Sequence, residues 1–249
     1  MECLFSIRNL VKVFPNGHQA IVGVSLDIFE GECLLVAGSN GSGKTILMRM
    51  ITALMEPTEG EIFFRGLPLN NDALRRSVGL VFQDADAQFV GETLGEDIAF
   101  GPKNLGLSKD EINRRVQGAM AAMGLLEKKD FSPRRLSGGE KRRLALAGIL
   151  AMGCEAVILD EPFANLDWPG VVQVLESIRH LKSTGKTVII LTHELEKVLA
   201  FADRLVILDR GCIREVGTPE AVLARLNPSY GVRDPRKHYD TVADCTWLI

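Results

Sequence analysis

The run Gly38-Ser39-Asn40-Gly41-Ser42-Gly43-Lys44-Thr45 is built for chemistry on phosphate. Its spacing is glycine, four residues, glycine, lysine and a hydroxyl. The glycines let the backbone fold tightly, so that successive N–H groups converge on phosphate oxygens. A helix starting at Gly43 would aim its positive end at the same point. Lys44 would then reach the β- and γ-phosphates of a nucleoside triphosphate, and the Thr45 hydroxyl would bind Mg²⁺. A compact apolar run over 33–37 precedes the loop and a helical pattern from 43 to about 54 follows it, so both flanking elements are in place.

A second candidate is Ala156-Val157-Ile158-Leu159-Asp160-Glu161, an apolar strand that ends in two carboxylates. Asp160 at the strand end can hold Mg²⁺, and Glu161 is then placed to polarise an attacking water. Loop and acid pair together predict a P-loop NTPase, without separating kinase, GTPase and ATPase.

These parts need a frame. Runs at 4–8, 24–29, 61–64, 78–82, 156–159, 188–191 and 205–208 read as strands, with helical segments between them. Such alternation predicts an α/β fold whose sheet is largely parallel and covered on both faces. Residues from about 87 to 152 read differently, as a helical insertion. Ser108 followed by Glu111 predicts a capping box, and Ile112, Val116, Ala119, Met120 and Met123 recur at helical spacing. The stretch from 227 is irregular, so the expected organisation is one domain over 1–226 and a short tail over 227–249.

Composition narrows the function. A net charge of −3 and a pI near 5.9 argue against a nucleic-acid partner. The five cysteines, Cys3, Cys33, Cys154, Cys212 and Cys245, form no CxxC pair. Neither a zinc site nor a disulfide framework is expected, and a reducing compartment fits. The longest apolar-or-glycine run, 144–154, has 11 residues, whereas a spanning helix needs about 20. The first residues carry no secretory pattern. A membrane role would therefore need another chain to supply the spanning part.

Leu136-Ser137-Gly138-Gly139-Glu140 decides the class. Ser137 and two glycines open a helix that runs into Lys141-Arg142-Arg143, offering a hydroxyl, free N–H groups and a dipole to a γ-phosphate. The segment resembles the ABC signature and lies 24 residues before Asp160, in the order and spacing of an ABC ATPase. The resemblance covers about 4–220. It implies an ABC ATPase with an antiparallel β portion and an inserted helical subdomain.

It also implies roles for single residues. Gln83 resembles the glutamine that senses Mg²⁺ and the membrane partner. Asn165-Leu166-Asp167 resembles the D-loop, which crosses a dimer interface, and His193 the switch histidine that contacts the γ-phosphate. Phe14 stands where an aromatic stacks on adenine, with Phe5 and Phe29 nearby as competitors. Residues Ser39, Asn40, Gly41, Ser42, Gly43, Lys44, Thr45 and Ile46 would hold ATP. Ser137, Gly138, Gly139, Glu140 and Asp167 would approach it from a partner protomer. The metal set would be Thr45, Gln83 and Asp160. Glu161 would act as general base with His193 assisting, in a homodimer or a heterodimer with a similar ATPase.

The segments from Val81-Phe82-Gln83 to Phe89, and from Glu96-Asp97-Ile98 to Leu107, are similar to the ATPase subunits of energy-coupling factor importers, the cobalt and nickel group included. That likeness implies transmembrane partner subunits, a peripheral position on the cytoplasmic face of the cell membrane, and partner contacts at Asp86 and Gln88. Three departures stand out. Ala85 replaces a usual proline. Ile46 replaces a frequent hydroxyl, at a cost of about 1 kcal/mol if one phosphate bond is lost. The tail is short beside the added C-terminal domain of many such subunits. The rivals are a non-transport ABC ATPase and a small-molecule kinase. The first usually carries long coiled coils or two cassettes, whereas Lys44 to Leu136 spans only 92 residues. The second leaves the signature and His193 unexplained.

Overall fold

The computed structural model describes residues 2–84 and 88–236. Ala85, Asp86 and Cys245 lie outside the described residues. Two sheets share the chain. One is antiparallel, in the order β2 (Gln19–Phe29), β1 (Cys3–Val13), β4 (Glu59–Phe64), β5 (Leu67–Pro68). The other joins β10 (Cys212–Gly217), β9 (Arg204–Asp209), β3 (Cys33–Ala37), β8 (Thr187–Thr192), β7 (Ala156–Asp160) and β6 (Val78–Val81). Every pairing in the second sheet is parallel except β10 with β9. The helices are α1 (Lys44–Ile51), α2 (Asn71–Ser77), α3 (Leu94–Asn104), α4 (Lys109–Ala122), α5 (Gly138–Met152), α6 (Trp168–Ser183), α7 (Leu195–Val198) and α8 (Pro219–Ala224).

The parallel strands are apolar without a break because both of their faces are buried. Successive side chains point to opposite faces. Cys33, Leu35, Ala37, Val157, Leu159, Val188 and Ile190 therefore join one core with α3 to α6. Leu34, Val36, Ile158, Ile189 and Leu191 join another with α1 and the antiparallel sheet. The loop at 38–43 and the acids at 160–161 leave the same end of this sheet, since β3, β8 and β7 are parallel neighbours.

The first two strands are longer than the apolar runs at 4–8 and 24–29. Their register slips between Ile7 and Leu10, where Asn9 takes φ 46°, and this bulge breaks the period of two on which a sequence reading relies. Strand β10 has no fully buried residue, so no apolar run announces it. The helical insertion is present as α3, α4 and α5. Only half of the capping box expected at 108–111 forms. Ser108 accepts from the Glu111 N–H at 3.3 Å, but the Glu111 carboxylate turns to Arg115 at 2.7 Å and to Arg114. The complete boxes are at Thr93–Glu96 and Ser137–Glu140. Residues after 227 fold back on the core as far as 236, with Val232 buried.

Candidate functional site

The phosphate loop has its shape because nothing larger than glycine fits at its hinges. A Cβ on Gly38 would lie 2.2 Å from the Leu208 carbonyl oxygen. Gly43, at φ 108°, would place one 2.7 Å from the Ala20 oxygen. The turn closes through Ser42 N–H to the Ser39 oxygen at 3.1 Å, and is braced by Gly211 N–H donating to the Ser42 oxygen at 2.9 Å. The Lys44 ammonium folds over the loop, donating to the oxygens of Gly38 at 2.7 Å and Ser39 at 3.1 Å. The Ser42 hydroxyl is buried and has no partner. A buried orphan hydroxyl beside a caged ammonium suits an anionic ligand rich in oxygen.

Strand β7 delivers the acids. The Thr45 hydroxyl donates to Asp160 at 3.1 Å, which links α1 to the strand end. Burial pushes the Asp160 carboxyl above its ordinary range, against the hydrogen bond from Thr45. Among the described residues no cluster of three or more His, Cys, Asp or Glu could hold a metal. A cation here would rest on Thr45, Asp160, Gln83 of the cavity wall and oxygens of a bound nucleotide. Glu161 takes the left-handed conformation, φ 45°, and is buried. Such backbone persists only where its surroundings over-determine it. Here the Glu161 N–H donates to the Leu191 oxygen at 2.8 Å, Lys44 pairs with the carboxylate at 3.4 Å, and His193 Nδ1 lies 3.0 Å from it. His193 follows β8 and keeps 44% of its side chain exposed. The carboxylate is thus held from two sides, and the imidazole reaches toward open space.

Phe14, Asn40, Gly41, Ser42, Gly43, Lys44, Thr45, Ile46, Gln83, Glu161 and His193 line one cavity of about 330 Å³. Asp160 stands behind it through Thr45, and Ser39 borders an adjoining cleft with Arg210 and Tyr230. The competing phenylalanines are structural. Phe5 is fully buried against Phe64, and Phe29 lies under the Arg204 guanidinium.

Ser137, Gly138, Gly139, Glu140 and Asp167 do not line this cavity. They meet at the joined N-termini of α5 and α6. Ser137 caps α5, and Glu140 returns the bond to the Ser137 N–H at 3.0 Å while pairing with Lys128. Asp167 caps α6 by accepting from Gly170 N–H at 3.0 Å. A Cβ on Gly139 would lie 3.0 Å from the Gly170 Cα, and one on Gly138 would lie 2.9 Å from Leu166.

Sequence reasoning passed over two residues. His18 closes the β1–β2 turn, stacks on Phe14 with centroids 6.3 Å apart, and lines the cavity. Arg142 is buried and donates to the carbonyl oxygens of Pro162, Gln83 at 3.0 Å and Ala164 at 3.1 Å. It ties the segment after Glu161 and the glutamine loop to α5. Only its place one turn past Ser137, in a basic triplet, pointed to it. Gln88, expected as a partner contact, also bonds within the chain. Its amide accepts from Phe82 N–H at 3.0 Å and donates to the Leu80 oxygen at 2.9 Å, which occupies it along the edge strand β6. Cys33 is inert filler, its thiol pushed up to about 12 by burial.

The ABC transporter family pattern matches residues 21–164, which includes the loop, the signature segment and the acid pair. The chain belongs to the ABC transporter family. It is the ATP-binding, ATP-hydrolysing type of subunit, and no helix among its described residues is long and apolar enough to cross a membrane. This ABC ATPase is 45% identical to an ABC transporter ATP-binding protein of Halobacterium salinarum, over 93% of this chain and all of that one. It is 39% identical to an energy-coupling factor transporter ATP-binding protein of Methanocaldococcus jannaschii, over 87% of this chain and 80% of that one. A solved structure from Clostridium perfringens, described as part of the ABC transporter complex cbiONQ, superposes with a TM-score of 0.84 at 33% identity, covering 90% of this chain and 92% of that one.

Proposed function

We propose that this ABC ATPase powers the import of a small solute, a transition-metal ion such as cobalt or nickel or a vitamin, through membrane-embedded partner subunits. It would sit peripherally on the cytoplasmic face of the membrane. Mg-ATP binds at residues 39–46, with Phe14 against the base and Thr45, Gln83 and Asp160 around the cation. Glu161 acts as general base on the attacking water, and His193 positions it. Ser137 to Glu140 and Asp167 of a partner ATPase complete the site in a head-to-tail dimer. Catalysis is positioning and electrostatics, since phosphoryl transfer asks little covalent chemistry of the protein.

The observation that carries this reading is Glu161, buried and strained, held between Lys44 at 3.4 Å and His193 at 3.0 Å on the cavity wall. Likeness to an energy-coupling factor protein and to a member of the cbiONQ complex supports the importer subtype. The test is light scattering of the Glu161→Gln variant with and without Mg-ATP. A tight dimer formed only with Mg-ATP is expected. A chain that binds ATP and stays monomeric, alone and with the membrane subunits, would overturn the sandwich.

A further inference from the structure

Five charged side chains are buried among the described residues: Glu32, Lys44, Arg142, Asp160 and Glu161. Glu32 is paired with Arg204, and Lys44, Asp160 and Glu161 belong to the cavity and the strand end behind it. Arg142 is the one left over. It is 6% exposed, does not line the cavity, and spends its donors on three backbone carbonyl oxygens. Burial works against its charge, and the Asp84 carboxylate favours it. A buried cation is costly unless it is well bonded, so its placement calls for more than the filling of space.

The strands decide which carbonyls it meets. β6 and β7 are parallel neighbours with Val81 opposite Leu159, so the segments that follow them leave the same end of the sheet. Gln83 sits on one segment and Glu161 on the other, and both line the cavity. Arg142 donates to the Gln83 oxygen at 3.0 Å on the first segment. On the second it donates to the oxygens of Pro162 and, at 3.1 Å, Ala164. That segment turns where the Ala164 N–H donates to the Glu161 oxygen at 3.2 Å. A guanidinium is planar and presents its donors in a rigid fork. The three bonds therefore fix the relative orientation of the two segments as well as their separation.

We propose that Arg142 is a positioning residue for ATP hydrolysis, holding the glutamine loop and the Glu161 turn in one register so that displacement of either moves the other. The proposal rests on the reading of Glu161 as general base. Glu161 keeps left-handed backbone, φ 45°, which its surroundings must maintain. The Arg142 bond to the carbonyl of the next residue supplies part of that support. A misplacement of about 1 Å can cost about a hundredfold in rate, so a small slip of the turn is enough to show.

The test uses the full chain. Arg142→Gln should lower kcat for ATP about ten- to a hundredfold and leave KM in place, the split expected when geometry at the reacting centre is lost and binding is not. Arg142→Lys, which keeps the charge without the fork, should recover part of the loss, and carries the same readings if Arg142→Gln does not fold. Amide hydrogen exchange gives a readout that a general loss of stability would not. In the variant, amides at 82–84 and 161–166 should exchange faster together, while those of β3 and α1 keep their parental rates. Gln83→Gly should speed exchange at 161–166 in the parent and add nothing in Arg142→Gln, because the link is already cut. If Glu161→Gln abolishes turnover while the Arg142 variants fold and keep the parental kcat, this inference fails and the reading of Glu161 stands. A rise in exchange spread evenly over the core also overturns it, leaving Arg142 a structural residue. If Glu161→Gln turns over like the parent, both fail.

Discussion

The cavity wall and the signature end are built on opposite plans. Along the wall polar groups are poised. The Ser42 hydroxyl has no partner, Lys44 bonds to its own loop, and Glu161 sits in left-handed backbone. At the signature end the helix caps are answered within the chain. Ser137 and Glu140 cap each other's N–H groups, Asp167 caps α6, and two glycines allow backbones to touch. A poised region is shaped for a ligand the chain can bind alone. A satisfied region is a rigid surface, shaped for something carried in from outside.

Substitutions can break that contrast, because the wall should lose chemistry without stability, whereas the signature end should lose stability while ATP binding to the monomer survives. The largest effect is expected from Lys44→Ala. ATP turnover should fall at least about a thousandfold, in the range for loss of a cationic contact to a transferring phosphoryl group, with little change in Tm. A large drop in Tm would show that Lys44 holds the loop as well as the phosphate. Glu161→Gln should lower kcat by about a hundred- to thousandfold, within the usual range for a general base, and keep ATP affinity. A variant that still turns over freely would move the base elsewhere.

At the signature end, Gly139→Val forces its side chain onto Gly170 backbone and should cost about 1–3 kcal/mol, read by chemical denaturation. Binding of ATP to the monomer should survive in the folded fraction. Ser137→Ala should cost about 1 kcal/mol through the lost cap, again with monomer ATP affinity intact. The smallest effect concerns acid. Burial raises the Glu140 carboxyl, but the Lys128 ammonium and the Ser137 N–H outweigh it, and the net position is below the ordinary value. A carboxylate lowered in the folded state stabilises above its unfolded pKa, near 4.3, and loses that contribution as pH falls through the folded value. Acid titration of stability below about pH 4 should therefore be shallower in Glu140→Gln than in the parent. Equal slopes would detach Glu140 from the stability of α5.

Local motifs were readable because their chemistry depends on near neighbours in the chain. The loop at 38–45, the acid pair after an apolar strand and the serine that caps α5 all announce themselves within eight residues. Hidden features depend on distant neighbours. Strand β10 is held by its ladder to β9 and not by burial, and the Asn9 bulge erases the alternation of β1. The choice of Phe14 over Phe5 and Phe29 follows only from which ring the folded turn sets against the loop.

The sequence by itself determined the class of chemistry, since a glycine-rich loop, a lysine, a hydroxyl and a strand-end acid pair bind nucleotide phosphates by local geometry and charge. It also determined the α/β frame, through apolar runs that can be buried only on two faces. Tertiary structure alone decided how the parts are joined. It placed Arg142 across three carbonyl groups from two separate segments, bonded Gln88 along the edge strand, and set Gly139 on Gly170. It also set the signature end apart from the cavity that holds Lys44 and Glu161. The physical reason is that a hydrogen bond or a backbone contact between residues far apart in the chain is fixed by packing of whole elements, and residue type at one position carries no record of it.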